Sequence, residues 1–120
     1  MTREDLPAGV AVVTGAAGGM GSAAALQLAQ AGWPRLVLCD LDAARLEAVA
    51  TPLRRSAATV EILAGDIADP AFPARLLALL GDRAVAALVH TAGISAVMGS
   101  AERILAVNLD ATVGLVDAVR

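Results

Sequence analysis

Thr14-Gly15-Ala16-Ala17-Gly18-Gly19-Met20-Gly21 follows directly on the apolar run Val10-Ala11-Val12-Val13. The run is of the kind buried on both faces of a parallel sheet. The residues after Gly21 have a helical pattern, so the glycines stand between a strand end and a helix start. A turn that binds phosphate needs backbone amides that an anion can approach without side chains in the way. It also needs a helix N-terminus aimed at that anion, where unpaired N–H groups and the helix dipole favour negative charge. Gly15, Gly19 and Gly21 meet both needs at the spacing G-x-x-x-G-x-G, and Ala16, Ala17 and Gly18 between them are small. Taken alone, the cluster could also be merely a tight turn.

Outward from this turn, four β-type runs alternate with four helical patterns. Helix one is expected from Gly19 to Ala31, stopped by Gly32 with Pro34 beyond it. Leu36-Val37-Leu38-Cys39 is the second strand. Asp42 reads as an N-cap, and Leu46, Val49, Ala50 and Leu53 fall at i, i+3, i+4 and i+7. Pro52 argues against a helix running much past Ala50, because it has no amide hydrogen and disfavours a helical Thr51. Val60-Glu61-Ile62-Leu63 is a third strand, less apolar and so placed nearer a sheet edge. Asp69-Pro70 reads as N-cap and first-turn proline of a third helix, which carries Leu76, Leu77, Leu79 and Leu80 and closes at Gly81. Val85-Ala86-Ala87-Leu88-Val89 is the fourth strand, and a helical segment runs from about Ser100 to Arg120. This order predicts a single α/β domain over residues 1–120. Its doubly wound parallel sheet has strand order 3-2-1-4, with helices on both faces.

Composition removes several function classes. The apolar share is 58%, above the roughly 45–50% of ordinary soluble domains, and is mostly alanine and valine spread along the chain. No run approaches the roughly 18 unbroken apolar residues of a membrane span. The start, Met1-Thr2-Arg3-Glu4-Asp5, carries both signs of charge and leads into no signal-type stretch, which predicts a cytoplasmic protein. All nine basic residues are scattered arginines, the formal net charge is −3, and Trp33 and Phe72 are the only aromatics. A nucleic-acid reader would show a basic stripe with stacking aromatics, so that class is excluded. The lone Cys39 rules out an internal disulfide and a multi-cysteine metal site. It reads as a buried, inert thiol whose ionisation Asp40 further disfavours.

Asp40 ends the second strand, where an acidic side chain can accept hydrogen bonds from an adenosine ribose. Such charge-assisted bonds are worth roughly 1.5–3 kcal/mol each. The carboxylate would repel a 2′-phosphate, and no arginine follows directly to offset it. The balance favours NAD over NADP, although Asp40 also fits a plain loop or capping role beside Asp42.

With Thr14-Gly15-x-x-x-Gly19-x-Gly21 and Asp40 in place, the chain resembles the short-chain dehydrogenase/reductase family along essentially all of its length. Three further motifs carry the likeness: Gly65-Asp66-Ile67 after the third strand, His90-Thr91-Ala92-Gly93 closing the fourth, and Val107-Asn108-Leu109 in the last helix. The resemblance implies a Rossmann-like fold with a dinucleotide held by Gly15, Ala17, Gly18, Gly19, Met20, Gly21, Asp40, Leu41, Asp66, Ile67, His90, Ala92 and Gly93. Within that set it implies that Asp66 contacts the adenine and Ile67 packs on it. It implies a catalytic role for Asn108 in a water relay, and no metal. His90 and Thr91 depart from the family's usual asparagine pair, so the bracing of the central strands must differ. His90 reads best as a structural hydrogen-bonding group, since nothing pairs with it as a nucleophile. The segment from Gly93 to Asn108 is also shorter than is usual in the family.

In the family, a Tyr-x-x-x-Lys pair and a serine complete the chemistry on an alcohol or ketone, all beyond the position of residue 120. This chain has no tyrosine and no lysine. Loss of a positioned acid/base typically costs about 10²–10⁴-fold in rate. The expectation is therefore the cofactor-binding half of an NAD(H)-dependent oxidoreductase, inactive alone. The other readings are a non-catalytic NAD-binding sensor or interaction module, and a pseudoenzyme fragment that binds nothing well. The last helix places Arg103, Asp110 and Asp117 on one polar stripe and Asn108 toward the sheet. Apolar residues occupy most of its remaining circumference, which predicts packing on two sides. The family resemblance assigns the second side to another subunit, making a homo-oligomer. The absence of a stop signal after the helix, and the open apolar edge of strand four, read as marks of a truncated domain.

Overall fold

Side-chain alternation along two central strands sorts the core into two layers. The computed structural model describes residues 8–56, 58–94 and 98–120. The charged start of the chain, and residues 95–97 of the connection after Gly93, lie outside the described residues. Strands β1 (Val10–Thr14), β2 (Arg35–Asp40), β3 (Thr59–Ala64) and β4 (Val85–His90) form one sheet in the order β3-β2-β1-β4. Every pairing is parallel. In β1, Ala11 and Val13 face one side and Val10 and Val12 the other; in β2, Leu36 and Leu38 oppose Val37 and Cys39. All eight are buried, as befits strands covered on both faces.

Helices α1 (Gly19–Gln30) and α2 (Ala43–Leu53) cover the first face through Ala25, Ala29, Leu46, Ala50 and Leu53, with Trp33 among them. Helix α3 (Phe72–Leu80) covers the second through Phe72, Leu76 and Leu80. It is joined there by Leu115 of α5 (Ala111–Val119). Small alanines on α1, Ala25 and Ala29, let that helix lie close to the sheet. β3 is an edge strand, as its weaker apolar run predicts, and β4 is the other edge.

Three local expectations are corrected. Helix α2 runs through Pro52 to Leu53. The proline falls in the last turn, where it forfeits a single ladder bond. Asp69 does not cap α3: its carboxylate accepts from Ala71 at 2.9 Å in a turn one step earlier. The first-turn proline is accordingly Pro73, with Ala71 at the cap position.

The last helical segment is not uniform. α4 (Ala101–Leu105) starts where the sequence places it, and Ser100 caps it. A π-turn over Ala106–Asp110 then intervenes before α5. The wider turn rotates α5 against α4, so Arg103 and Asp117 do not share one stripe. Arg103 turns to Asp66, whereas Asp117 pairs with Arg120 on the outside. No helix among the described residues is long and apolar enough to cross a membrane.

Leu38 is fully buried between β2 and the α1/α2 layer, whereas Leu77 on α3 is 44% exposed. Leu38→Ala should cost about 2–5 kcal/mol and Leu77→Ala less than about 1 kcal/mol in urea-unfolding free energy.

Candidate functional site

The C-terminal ends of all four strands open on one cleft of about 210 Å³. Its central gap lies between β1 and β4, where the chain winds off in opposite directions and open α/β sheets bind ligands. The turn after β1 forms its floor. Gly15 has φ +64°, and a Cβ there would lie 2.6 Å from the Thr91 hydroxyl. A Cβ on Gly21 would lie 2.1 Å from the Gly15 carbonyl oxygen, so α1 can start this close to β1 only with glycine there. By contrast, a Cβ on Gly19 would meet nothing within 4 Å, which leaves the space above the turn open.

The first two helix starts at this end differ. Asp42 fills the start of α2, its carboxylate accepting from Ala44 and Arg45 at 2.9 and 3.2 Å. The cap residue of α1, Gly18, brings no side-chain hydrogen bond and no acidic residue follows in the first turn. The first-turn amides of α1 are thus left for an outside acceptor.

Asp40 stands at the end of β2, its carboxylate accepting from Ala17 at 2.9 Å and from Leu41 at 2.7 Å. Those bonds tie the carboxylate to the glycine turn and still leave each oxygen a lone pair. Arg45 donates to the Ala17 carbonyl at 3.1 Å, so the rim holds a cation as well. Beneath it, Cys39 is buried, and burial first, then the Asp40 charge, push its thiol pKa up to about 12. Asp66, Ile67, Phe72, Ala92, Gly93, Ile94, Arg103 and Val107 complete the wall.

Of the residues implied by the resemblance, Gly15, Gly18, Asp40, Leu41, Asp66, Ile67, Ala92 and Gly93 line the cleft. Ala17 joins them through Asp40, Met20 is 75% exposed at the first turn of α1, and Gly21 is buried beneath it. His90 and Asn108 do not line it. Asn108 lies in the π-turn and clasps the Ile94 backbone, accepting from its amide at 2.8 Å and donating to its carbonyl at 2.7 Å. A π-turn inside a helix frequently marks a functional position.

A model of the family described as short chain dehydrogenase matches residues 9–120. The chain belongs to the short-chain dehydrogenase family. No curated protein sequence matches it significantly. Among solved structures it is similar to a short-chain dehydrogenase from Sphingobium yanoikuyae in complex with NADPH. That match has 32% identity and a TM-score of 0.78, and covers 92% of this chain and 46% of the other. A bulky-bulky ketone specific alcohol dehydrogenase from Comamonas testosteroni matches at 27% identity and TM-score 0.79, covering 92% and 48%. A metagenomic short-chain oxidoreductase in complex with NADP matches at 32% and 0.77, covering 94% and 55%. The chain thus spans about half the length of these short-chain dehydrogenases.

Two arginines escape a reading by family motif: Arg103 in the cleft wall and Arg45 beside the glycine turn. Arg45 is five residues past Asp40, beyond the positions a search for a basic neighbour covers, and helix α2 carries it back to the turn. A regular helix through residues 106–110 would put Arg103 on one stripe with Asp110 and Asp117, whereas the structure turns it to Asp66.

In this short-chain dehydrogenase His90 braces the site from behind. Its Nδ1 lies 2.6 Å from the Thr14 hydroxyl and its Nε2 lies 2.8 Å from the Thr112 hydroxyl. Thr112 donates its proton to the Asn108 carbonyl at 3.0 Å, so it accepts from Nε2–H. Nδ1 then accepts from Thr14, whose oxygen in turn accepts from the Ala92 amide at 3.3 Å. The neutral ring fits this chain of bonds, and burial holds the imidazole pKa below its ordinary 6.5. The unfolded chain therefore takes up this proton first as pH falls. His90 favours folding fully above about pH 6.5 and loses that contribution as pH drops toward its folded value. The urea midpoint should fall between pH 7.5 and 5, and His90→Gln should flatten that slope. Asp66, held below 3.8, acts in a lower window.

Proposed function

We propose that this chain is the cofactor-binding portion of an NAD(H)-dependent short-chain oxidoreductase acting on an alcohol or carbonyl substrate. The observation that carries the reading is an uncapped helix start over an open glycine turn, with the Asp40 carboxylate bound to that same turn. The residues fit a dinucleotide. The amides at Gly19, Met20 and Gly21 meet the pyrophosphate, Asp40 beside Leu41 meets the adenosine ribose, and Asp66 and Ile67 meet the base. Ala92 and Gly93 flank the path toward the nicotinamide. When bound, the nicotinamide supplies the carbon that gives or takes a hydride.

Asn108 holds the backbone of Ile94 beside that path, and its own carbonyl is fixed by Thr112. In this reading it positions the wall of the cleft next to the reacting ring. The chain's own residues include no phenol and no primary side-chain amine to move the substrate proton. We therefore assign it binding without turnover when it acts alone. The same observation favours, as a second reading, a non-catalytic NAD-binding module.

The preference for NAD rests on Asp40, a carboxylate placed where a 2′-phosphate would add a second negative charge. Arg45 lies across the Ala17 peptide from it and is the residue that would counter this. NADH fluorescence titration should give saturable binding. Asp40→Ala should weaken NADH by roughly 10- to 150-fold and NADPH far less. An equal loss for both would overturn the NAD assignment, and no saturable binding at millimolar NADH would overturn the cofactor reading itself.

Leu105, Leu109, Val113 and Val116 form an apolar row, each 42–56% exposed, along the outer side of the last helical segment. We assign this row to a second copy of the chain, in a cytoplasmic homo-oligomer. Size-exclusion chromatography with light scattering should report a dimer or larger species, and Val113→Arg should shift it to monomer.

A further inference from the structure

The ion pair between Asp66 and Arg103 joins two parts of the cleft that the chain separates widely. Arg103 Nη2 donates to Asp66 Oδ2 at 2.7 Å, while Asp66 Oδ1 accepts from the Ala68 amide at 2.9 Å. Each carboxylate oxygen is thereby held by one donor, and each keeps a lone pair. A carboxylate fixed at both oxygens cannot swing between rotamers, so its remaining lone pairs point in set directions. The guanidinium is itself placed by structure. The Ser100 hydroxyl accepts from the Arg103 amide at 3.2 Å, and the arginine stem lies over Gly99, where a Cβ would come within 3.1 Å of its Cγ. Ile67, Phe72 and Val107 give the same cleft apolar walls. Apolar walls with one immobilised acceptor suit a flat heterocycle that carries an exocyclic amine.

We infer that Arg103 is a positioning residue for base selection, pinning the Asp66 carboxylate so that it accepts from the 6-amino group of the bound adenine and rejects a 6-oxo purine. The inference rests on the dinucleotide reading proposed above and adds to it the residue that makes the base subsite selective. Asp66 stays ionised in this arrangement. Burial raises its pKa, but the Ala68 amide and the Arg103 guanidinium together outweigh burial and hold it below the ordinary value. An ionised carboxylate accepts but cannot donate, so a carbonyl at the 6-position would face it without a proton between them. The pair is partly exposed, with 41% of the Arg103 and 38% of the Asp66 side chain open to solvent. Its contribution to stability is small for that reason, and its effect falls on recognition.

The test compares binding of NADH and of reduced nicotinamide hypoxanthine dinucleotide, which carries oxygen where adenine carries the amine. The chain should prefer NADH by about 10-fold or more, and Arg103→Met should cut that ratio to about twofold. Arg103→Lys keeps one donor and should restore part of the ratio. In an Asp66→Asn background the Arg103→Met change should leave the ratio where Asp66→Asn puts it, because the arginine acts through the carboxylate. Binding of both dinucleotides with an unchanged or increased ratio in Arg103→Met overturns the inference alone. So does a ratio that still responds to Arg103→Met when Asp66 is already asparagine. If the unaltered chain binds neither dinucleotide, the cofactor reading fails and the inference fails with it.

Discussion

The contact between Gly21 and the Gly15 carbonyl sets the geometry on which everything else in this domain depends. Helix α1 begins almost in van der Waals contact with the chain that has just left β1, and no side chain fits between them. That closeness aims the helix start at the cleft and leaves the space above Gly19 open. The strand itself must be central, because its turn needs β2 and Asp40 on one side and β4 and Thr91 on the other. A sheet arranged in any other order would separate the glycine turn from the residues that complete its rim.

A second layer of organisation lies behind the cleft. His90 and Thr91 stand where the family usually has asparagines, and they take up the bracing in a different chemical form. Thr91 donates to the Thr14 carbonyl at 2.7 Å, while the His90 ring reaches from Thr14 on β1 to Thr112 on α5. Histidine is long enough to cross that gap with a single ring, and its neutral form offers one donor and one acceptor. The substitution thus trades amide bonds for a bridge that is sensitive to protonation.

Most of the fold was legible in the residues. The apolar runs, the glycine stops at Gly32 and Gly81, and the order of strands and helices predict the sheet correctly, because buried parallel strands and amphipathic helices have distinct periods. The misreadings share a cause: each concerned a hydrogen bond that departs from the regular ladder. Pro52 is tolerated because it falls in the last turn of α2, where only one ladder bond is lost. Asp69 caps a turn rather than the helix that follows. The π-turn around Asn108 has no compositional mark, and without it the direction of Arg103 could not be foreseen. Of the cleft and its surroundings, the glycine turn, Asp40 and Asp66 were visible as motifs, whereas Arg45 and Arg103 became visible only once helices carried them across space.

The π-turn has an effect on the outside of the molecule as well. In a regular α-helix, residues four apart advance by about 40° around the axis, so a row spaced by fours winds away from any straight partner. Leu105, Leu109 and Val113 are spaced in this way, and the wider turn between Ala106 and Asp110 takes back part of the rotation. The distortion that sets Asn108 against Ile94 therefore also straightens the exposed apolar row that runs beside it. Cleft-side geometry and the course of the outer apolar row are two outcomes of one wider turn, and neither can drift without the other.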